Sequence, residues 1–554
     1  MTAGVSEMKL TSAVNLAISN VLKEGLTDIF PEPFETNLLK NNGFQKIVKH
    51  EVIRAISGGS LDSLKMLPIE HVILPKTSAF DFRRCALIHP MDTLKFLTLV
   101  LLFAEEIEIN RPAKATKFVF SYRFSPRKGN IFNPEYNYTS FNKHVSKKLK
   151  NKKTNLLVSC DIANFYDRIN LHRLESILLS LNLDKNQVKL LNQLLLFWAN
   201  RDSYGLPVGS NASRILAEAS LLEVDRYLIS IKADFCRFVD DYRLFAPDAH
   251  TAHQWMMLLI ERLWLEGLTI NKSKTKIEDV SDCHDISDQT KLENTEDQIE
   301  KFDNSNQEHE QKGTFRIIAG YGGVIPTKFR KPSDAEINRL KNTDVSGLLK
   351  KIKTLRIIAS EDVINFVRAA LYRKEYKRFL ELPLVIEKYL QTAPYVIDLL
   401  IKHKDDIPED IRLVISDKLS RWLTTKKQLP EYIALAIIKL LGAEGFQNKD
   451  VLFDYFRTLK RNAGAYIGRA LLDALEGIIS RGDVIEIRNY FTRADSWEKR
   501  QIVHIVNRHL YEDEKRPWLK GAKLSESNDL FLVEMINPTN GGVKKKRKKK
   551  KSMD

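Results

Sequence analysis

One apolar run that ends in a carboxylate, Leu156-Leu-Val-Ser-Cys-Asp161, constrains this chain more than any other feature. It reads as a buried strand. An Asp at the end of such a strand is held on rigid backbone with its carboxylate facing a cleft, which suits a metal ligand because ligand geometry must be fixed. Seventy-nine residues later, Phe235-Cys-Arg-Phe-Val239-Asp240-Asp241-Tyr-Arg-Leu-Phe245 sets two adjacent acids between apolar flanks. That pattern predicts a tight hairpin with the acids at its turn. Adjacent carboxylates repel, and Mg²⁺ relieves the repulsion, since it prefers oxygen and uses one or two carboxylates together with substrate phosphates. Two such ions about 3.5–4 Å apart serve nucleotidyl transfer, one activating the attacking 3′-oxygen and the other stabilising the leaving pyrophosphate. Taken alone, an Asp-Asp pair is also an ordinary polar turn, and an Asp after a strand is also an ordinary helix N-cap.

Two further segments narrow the choice. Gly205-Leu-Pro-Val-Gly209-Ser210-Asn-Ala-Ser213-Arg-Ile-Leu-Ala217 begins with a glycine–proline turn whose backbone can approach a ligand closely. A predicted helix follows, with free N–H groups at its start for phosphate or base edges. Gly267-Leu-Thr-Ile270-Asn271-Lys-Ser-Lys274-Thr275-Lys276 puts three lysines beside a short apolar strand, where they could face a triphosphate or simply form a solvated loop.

The rest of the chain is read from composition and periodicity. At 554 residues two or three domains are expected. Hydrophobic residues make up 43% and charged residues 29%, the balance of a soluble globular protein. The net charge of +16 falls to +8 without the run Lys544 to Lys551, so the body itself is basic and favours a polyanionic partner such as nucleic acid. Cys85, Cys160, Cys236 and Cys283 show no zinc spacing and read as reduced cytosolic thiols. The N-terminus lacks a signal-peptide pattern. Phe96 to Ala104 is far shorter than the roughly 20 residues that span a bilayer, so no membrane association is expected.

Residues 1–150 mix helical patterns with basic loops, and 151–280 alternate short strands with helices. Ser281 to Glu310 holds ten acids and two lysines and reads as a flexible acidic insertion. Arg316 to Ile325 reads as two short strands around a glycine turn. Beyond Pro332 the pattern is helical: one helix capped by Ser360, a second started by Pro430 and ended by Gly442, and a third over Ala463 to Ser480 stopped by Gly482. Helices of about 10–18 residues with short breaks suggest stacked helix pairs, as in an α-solenoid, or an irregular bundle.

In order, the four chemical segments read D-I-x-x-F-Y, G-L-P-x-G-x-x-x-S, F-V-D-D and L-x-x-N-x-x-K-T. They resemble motifs A, B, C and D of reverse transcriptases. The resemblance implies an α+β right-hand polymerase, with fingers and palm over 1–280, an acidic insertion over 281–313 and a hairpin-like connection over 314–332. An all-α, HEAT-like helical-repeat domain over 333–536 and a basic disordered tail over 537–554 complete the expected layout. It implies two Mg²⁺ ions, with Mn²⁺ an alternative, held by Asp161, Ile162, Asp240 and Asp241. Asp161 and Asp240 would ligate both ions, with Asp241 in support. Tyr166 would be a steric gate against a ribose 2′-OH, next to Phe165, which belongs to the same nucleotide-side segment but is expected to pack in the core. Gly205, Gly209 and Ser213 would shape the nucleotide and template pocket, and Lys274 would lie near the leaving pyrophosphate. Upstream, Val119 to Gly129 and Arg83 to Pro90 resemble the family's fingers elements, implying that Arg123 and Arg84 clamp the triphosphate with bidentate forks. One departure is Val208, where many members have Gln, which puts in doubt the usual contact to the templating region.

A polymerase followed by a long helical region, ending in Asp495 to Lys520, resembles the bacterial abortive-infection and defence-associated reverse transcriptases. That implies a cytoplasmic anti-phage enzyme acting on dNTPs, homo-oligomeric, and in several members untemplated and started from a protein hydroxyl, so that the DNA product stays attached to protein. With 17 tyrosines the hydroxyl donor is not identifiable. A template-copying enzyme of a mobile element working with a structured RNA, of intron or retron type, and a catalytically silent nucleic-acid scaffold remain open as alternatives. Retention of all three acids argues against the scaffold. Lys544, Lys545, Lys546, Arg547 and Lys548 in the tail either hold nucleic acid through phosphates or form a solvated end.

Overall fold

The computed structural model describes residues 7–26, 34–75, 82–151, 153–200, 202–281, 334–355, 359–425, 429–459 and 464–539. The expected acidic insertion beyond residue 281, the hairpin-like connection and the basic tail beyond residue 539 lie outside them.

The N-terminal half is built around one antiparallel sheet. Its strands are β5 (Leu156–Asp161), β6 (Phe235–Phe238), β7 (Asp241–Ala246) and β8 (Lys276–Asp279), in the order β6-β7-β5-β8. Two small hairpins precede it in the chain: β1 (Glu70–Pro75) with β2 (Phe82–Leu87), and β3 (Phe124–Arg127) with β4 (Asn130–Phe132). The apolar run Phe96 to Ala104 lies in the helix Pro90–Asn110, which starts with Pro at its first position and is buried over most of its circumference. A helix apolar all round must be a core helix, and this one packs against Glu7–Glu24, Asn42–Ser57 and Asn211–Ser220. Among the described residues no helix is long and apolar enough to cross a membrane. Cys85, Cys160 and Cys236 are buried.

From Asp334 to Ile536 the described chain is helical. The helices Ala393–Lys402, Glu431–Gly442, Ala465–Glu476, Ser496–His509 and Leu530–Ile536 contact one another in series and form one layer. The helices between them, Glu409–Thr425, Lys449–Thr458, Arg481–Tyr490 and Glu512–Ser525, pack on that layer. Pro430 and Gly442 bound their helix as expected. Two expectations are corrected. Ala359, not Ser360, is the N-cap of Ser360–Tyr372, and no side chain caps that end. The segment read as one helix over Ala463 to Ser480 closes at Gly477, and Gly482 lies inside the next helix, Arg481–Tyr490. There Asp483 Oδ2 accepts from the Ser480 N–H and hydroxyl, both at 2.8 Å, which offsets the poor helix propensity of glycine at that end.

The helical half is joined to the N-terminal half through a buried ionic cluster. Glu35 accepts from Arg469 at 2.8 Å and from Arg500 at 3.0 Å, and Arg500 also reaches Asp529 at 2.7 Å. Around them Arg469 lies over the Phe34 ring, and His89 stacks on Trp497. One continuous apolar core runs from Leu10 to Met535 through this junction.

Candidate active site

The β5–β7 register pairs Asp161 directly with Asp241. Phe238 and Asp241 are the last pair of the β6–β7 hairpin, so Val239 and Asp240 form its two-residue loop. Asp240 thus lies in the turn as expected, while Asp241, also expected there, opens β7. Backbone bonds lock the strand ends: Ile162 N–H donates to the Asp240 carbonyl at 3.2 Å, and Asn271 N–H donates to the Asp161 carbonyl at 2.7 Å. An isolated bridge between Ile162 and Ile270 brings the lysine loop beside them. Ile162 itself is buried and apolar, so only its carbonyl could serve a cation.

The electrostatics follow from three carboxylates in one place. Burial, then the charges of Asp241 and Asp161, push Asp240 well above the ordinary carboxylate range. Burial also pushes Asp241 up, opposed by Arg243, whose Nη1 lies 3.7 Å away. Asp161 Oδ2 receives Asn271 Nδ2 at 3.2 Å and Lys274 Nζ at 3.3 Å. Burial opposes charge on Lys274, but Asp161 and the other two acids outweigh it and raise the ammonium's pKa.

The donor set is all oxygen, the chemistry of Mg²⁺ or Mn²⁺ rather than zinc. Among the described residues no three or more His, Cys, Asp or Glu side chains close into a metal cage. An open pair or trio of carboxylates is nevertheless what an ion completed by substrate phosphates and water requires. The mutual repulsion at Asp240 is what a divalent cation would relieve, so the residues fit the group.

The loop after Gly205 packs against the segment that follows Asp161. Gly205 N–H donates to the Ile169 carbonyl and Leu206 N–H to the Tyr166 carbonyl, both at 2.9 Å. Gly205 has φ +98° and Gly209 φ +114°, conformations that other residues adopt only with strain. Val208 bridges to Cys85 on β2, which fixes the loop against the first hairpin. Gly209 lines a small cleft with Ser210, Asn211, Arg214 and, from the first helix, Asn20 and Glu24.

Two expected site residues, Ser213 and Arg123, are placed differently. Ser213 is fully buried and donates to the Pro207 carbonyl at 2.5 Å, so it braces the loop rather than facing a pocket. Phe165 is a core residue set edge-on to Tyr166, which is 9% exposed. Arg123 is corrected most clearly. It is 2% exposed, with Nε on Glu108 at 2.8 Å and Nη2 on the Pro112 carbonyl at 2.9 Å. A guanidinium already paired and buried is a framework element rather than a free phosphate clamp. Arg84 is exposed on β2, its Nη2 3.2 Å from His71 Nδ1.

The sequence reading passed over Arg237, which is fully buried two residues before the turn. The available signal was a charge inside the otherwise apolar run Phe235-Cys-Arg-Phe.

Residues 116–301 match the reverse transcriptase (RNA-dependent DNA polymerase) family. The chain carries a reverse transcriptase domain. The matched family is described as RNA-dependent DNA polymerases. The domain contains the Asp161, Asp240, Asp241 and Lys274 cluster. No curated protein matches the chain. Among solved structures, a telomerase from Candida albicans in complex with the TWJ fragment of telomeric RNA is similar at 12% identity and a TM-score of 0.28. The match covers 73% of this chain and 66% of the telomerase chain, so this chain spans just under two thirds of that length.

Proposed function

We propose that this protein is a DNA polymerase of the reverse-transcriptase type, transferring deoxynucleotides at Asp161, Asp240 and Asp241. The observation that carries the reading is the register that sets Asp161 against Asp241, with Asp240 in the adjoining turn, inside the reverse transcriptase domain. Asp161 and Asp240, with Asp241 and the Ile162 carbonyl in support, would hold two divalent ions. Bound there, the ions supply activation of the attacking 3′-oxygen and charge stabilisation of the leaving pyrophosphate. The protein's own groups do the positioning. Lys274 sets a fixed positive charge beside Asp161 where triphosphate charge would build up. Asn271 orients the Asp161 carboxylate through Nδ2. Tyr166, anchored through its carbonyl to the Gly205 loop, would exclude a ribose 2′-OH and select dNTPs.

We further infer a role in bacterial anti-phage defence, with synthesis started from a protein hydroxyl and without a supplied template. The two-layer helical region after the polymerase, read as HEAT-like, supports this branch. Val208, in place of the common Gln and tied to β2, favours loss of the usual template contact.

The test is incubation of purified protein with Mg²⁺ and labelled dNTPs, without template or primer, beside Asp240→Asn/Asp241→Asn. Products are run on denaturing gels with and without protease. A ladder that shifts on protease treatment and vanishes in the double variant supports protein-primed, untemplated synthesis. Extension only of a primed RNA template would sink that mechanism and move the protein to the mobile-element class. No incorporation under either condition, with bound nucleic acid, would favour a scaffold.

A further inference from the structure

The turn that presents Asp240 is built from an unsuitable residue. Val239, the first loop position between β6 and β7, has φ +56°. Two-residue hairpin turns that need a positive φ there use glycine, and a β-branched side chain in this region is a genuine outlier. Among the described residues Val239 is the one β-branched residue with a positive φ. Such a conformation persists only where its surroundings over-determine it.

Arg237 supplies that constraint. Its Nη1 donates to the Val239 carbonyl at 3.2 Å. The guanidinium cannot swing away, because Nε and Nη2 both bond Asp225 at 2.7 Å and Nη1 lies 2.9 Å from Glu218. Glu218 is held in turn by Arg111 Nη2 at 2.6 Å and by the Ser121 hydroxyl. The Arg237 backbone is bonded on both sides to Phe118 and Phe120. Every one of these partners except Val239 lies outside the β6–β7 turn, so the bond to its carbonyl ties the loop to a frame built from three separate segments.

We infer that Arg237 is a positioning residue for the polymerase centre: its guanidinium, fixed by Asp225 and Glu218, holds the Val239 carbonyl and so keeps the strained turn that aims Asp240. This rests on the polymerase reading above and deepens it. Lysine cannot replace it, having no planar fork to satisfy Asp225 and Val239 together.

The experiment pairs Arg237→Lys with Val239→Gly, singly and combined. Its readouts are thermal melting, Mn²⁺ binding followed by electron paramagnetic resonance, and dNTP incorporation against Mg²⁺ concentration. Arg237→Lys should weaken Mn²⁺ binding and lower kcat by roughly 10–100-fold, the usual effect of removing a group that orients a ligand, with KM for dNTP little changed. Adding Val239→Gly should recover several-fold of both losses without restoring the melting temperature, since glycine takes the positive φ unaided while the ion pairs stay broken. Recovery of neither in a protein that melts cooperatively would overturn the inference and leave Arg237 as general framework. If Arg237→Lys does not fold, Asp225→Asn, which loosens the fork at constant volume, is read by the same rescue criterion. A wild-type protein that neither binds Mn²⁺ nor incorporates dNTPs would instead overturn the polymerase reading, and this inference with it.

Discussion

Arg469 Nη1 lies 2.8 Å from Glu35 Oε1, joining residues 434 positions apart in the chain. Glu35 is fully buried and is shared with Arg500. Removing one partner of such a cluster leaves uncompensated charge in the interior, which costs about 3–5 kcal/mol. Glu35→Ala should therefore destabilise the protein by that amount, read from urea unfolding. A loss under about 1 kcal/mol, the value of exposed pairs, would mean that the junction between the halves is not held by this cluster.

The same group predicts an acid transition. Burial alone would raise the Glu35 pKa, but Arg469 and Arg500 outweigh it and hold it at about 2, below the ordinary 4.5. Its folded pKa is depressed, so its contribution is fully present above about 4.5 and is lost as pH falls through about 2. The linked stability is about 3 kcal/mol. Subtracting the Glu35→Gln unfolding free energy from wild type at each pH should give a difference that shrinks between pH 5 and 2. A flat difference over that window would contradict the assignment.

Gly205→Ala separates conformation from space. A Cβ there would meet its nearest neighbour, the Asp167 carbonyl oxygen, at 3.5 Å, an ordinary contact. The φ of +98° is the obstacle. A cost of roughly 1–2 kcal/mol is expected from the left-handed backbone alone. Gly205 and Leu206 also bond the Ile169 and Tyr166 carbonyls, so dNTP incorporation should fall with stability. Unchanged melting and unchanged activity together would show that the loop relaxes freely.

The parts of this molecule legible in its sequence are those written in local pattern. Asp161 was readable because an apolar strand leads into it, and the Asp240 turn because apolar residues flank both sides. Pro430 and Gly442 bracket their helix by backbone chemistry alone. What could not be read depends on partners distant in the chain. Glu35 looks like a surface acid between prolines and polar residues, yet it is buried because Arg469 and Arg500 fold over it. Arg123 matched a motif, but Glu108 claims its fork. Ser213 matched another, but its hydroxyl closes on the Pro207 carbonyl. Motif spacing places a backbone position; which way the side chain is satisfied is settled by tertiary neighbours.

Tyr166 should govern sugar selection. Tyr166→Val keeps an apolar side chain in a site only 9% exposed while removing the ring. The ratio of rNTP to dNTP incorporation efficiency should rise roughly 10–100-fold, the range that pocket shape alone can discriminate. Because the measurement is a ratio, it is independent of any loss of folded protein. An unchanged ratio would place the ring in the core only, beside Phe165.

Lys274 is the last expectation that the geometry sharpens. Its Nζ is 3.3 Å from Asp161 Oδ2, and its side chain is 57% exposed. With the lysine so exposed, its ion pair contributes little to folding, on the order of 0–1 kcal/mol, and Lys274→Met should melt close to wild type. Its effect on the reaction should be larger, because a fixed cation beside developing phosphate charge acts where water is displaced, and losing one such group costs roughly 10²–10³ in kcat. Burial opposes the charge, but the surrounding acids raise the pKa above its ordinary 10.5, so Lys274 stays charged throughout the neutral range. Its removal should therefore lower the rate throughout about pH 6 to 9. Lys274→Arg, which keeps the charge, should recover part of the loss. An arginine no better than methionine would mean that Lys274 does more than hold a charge.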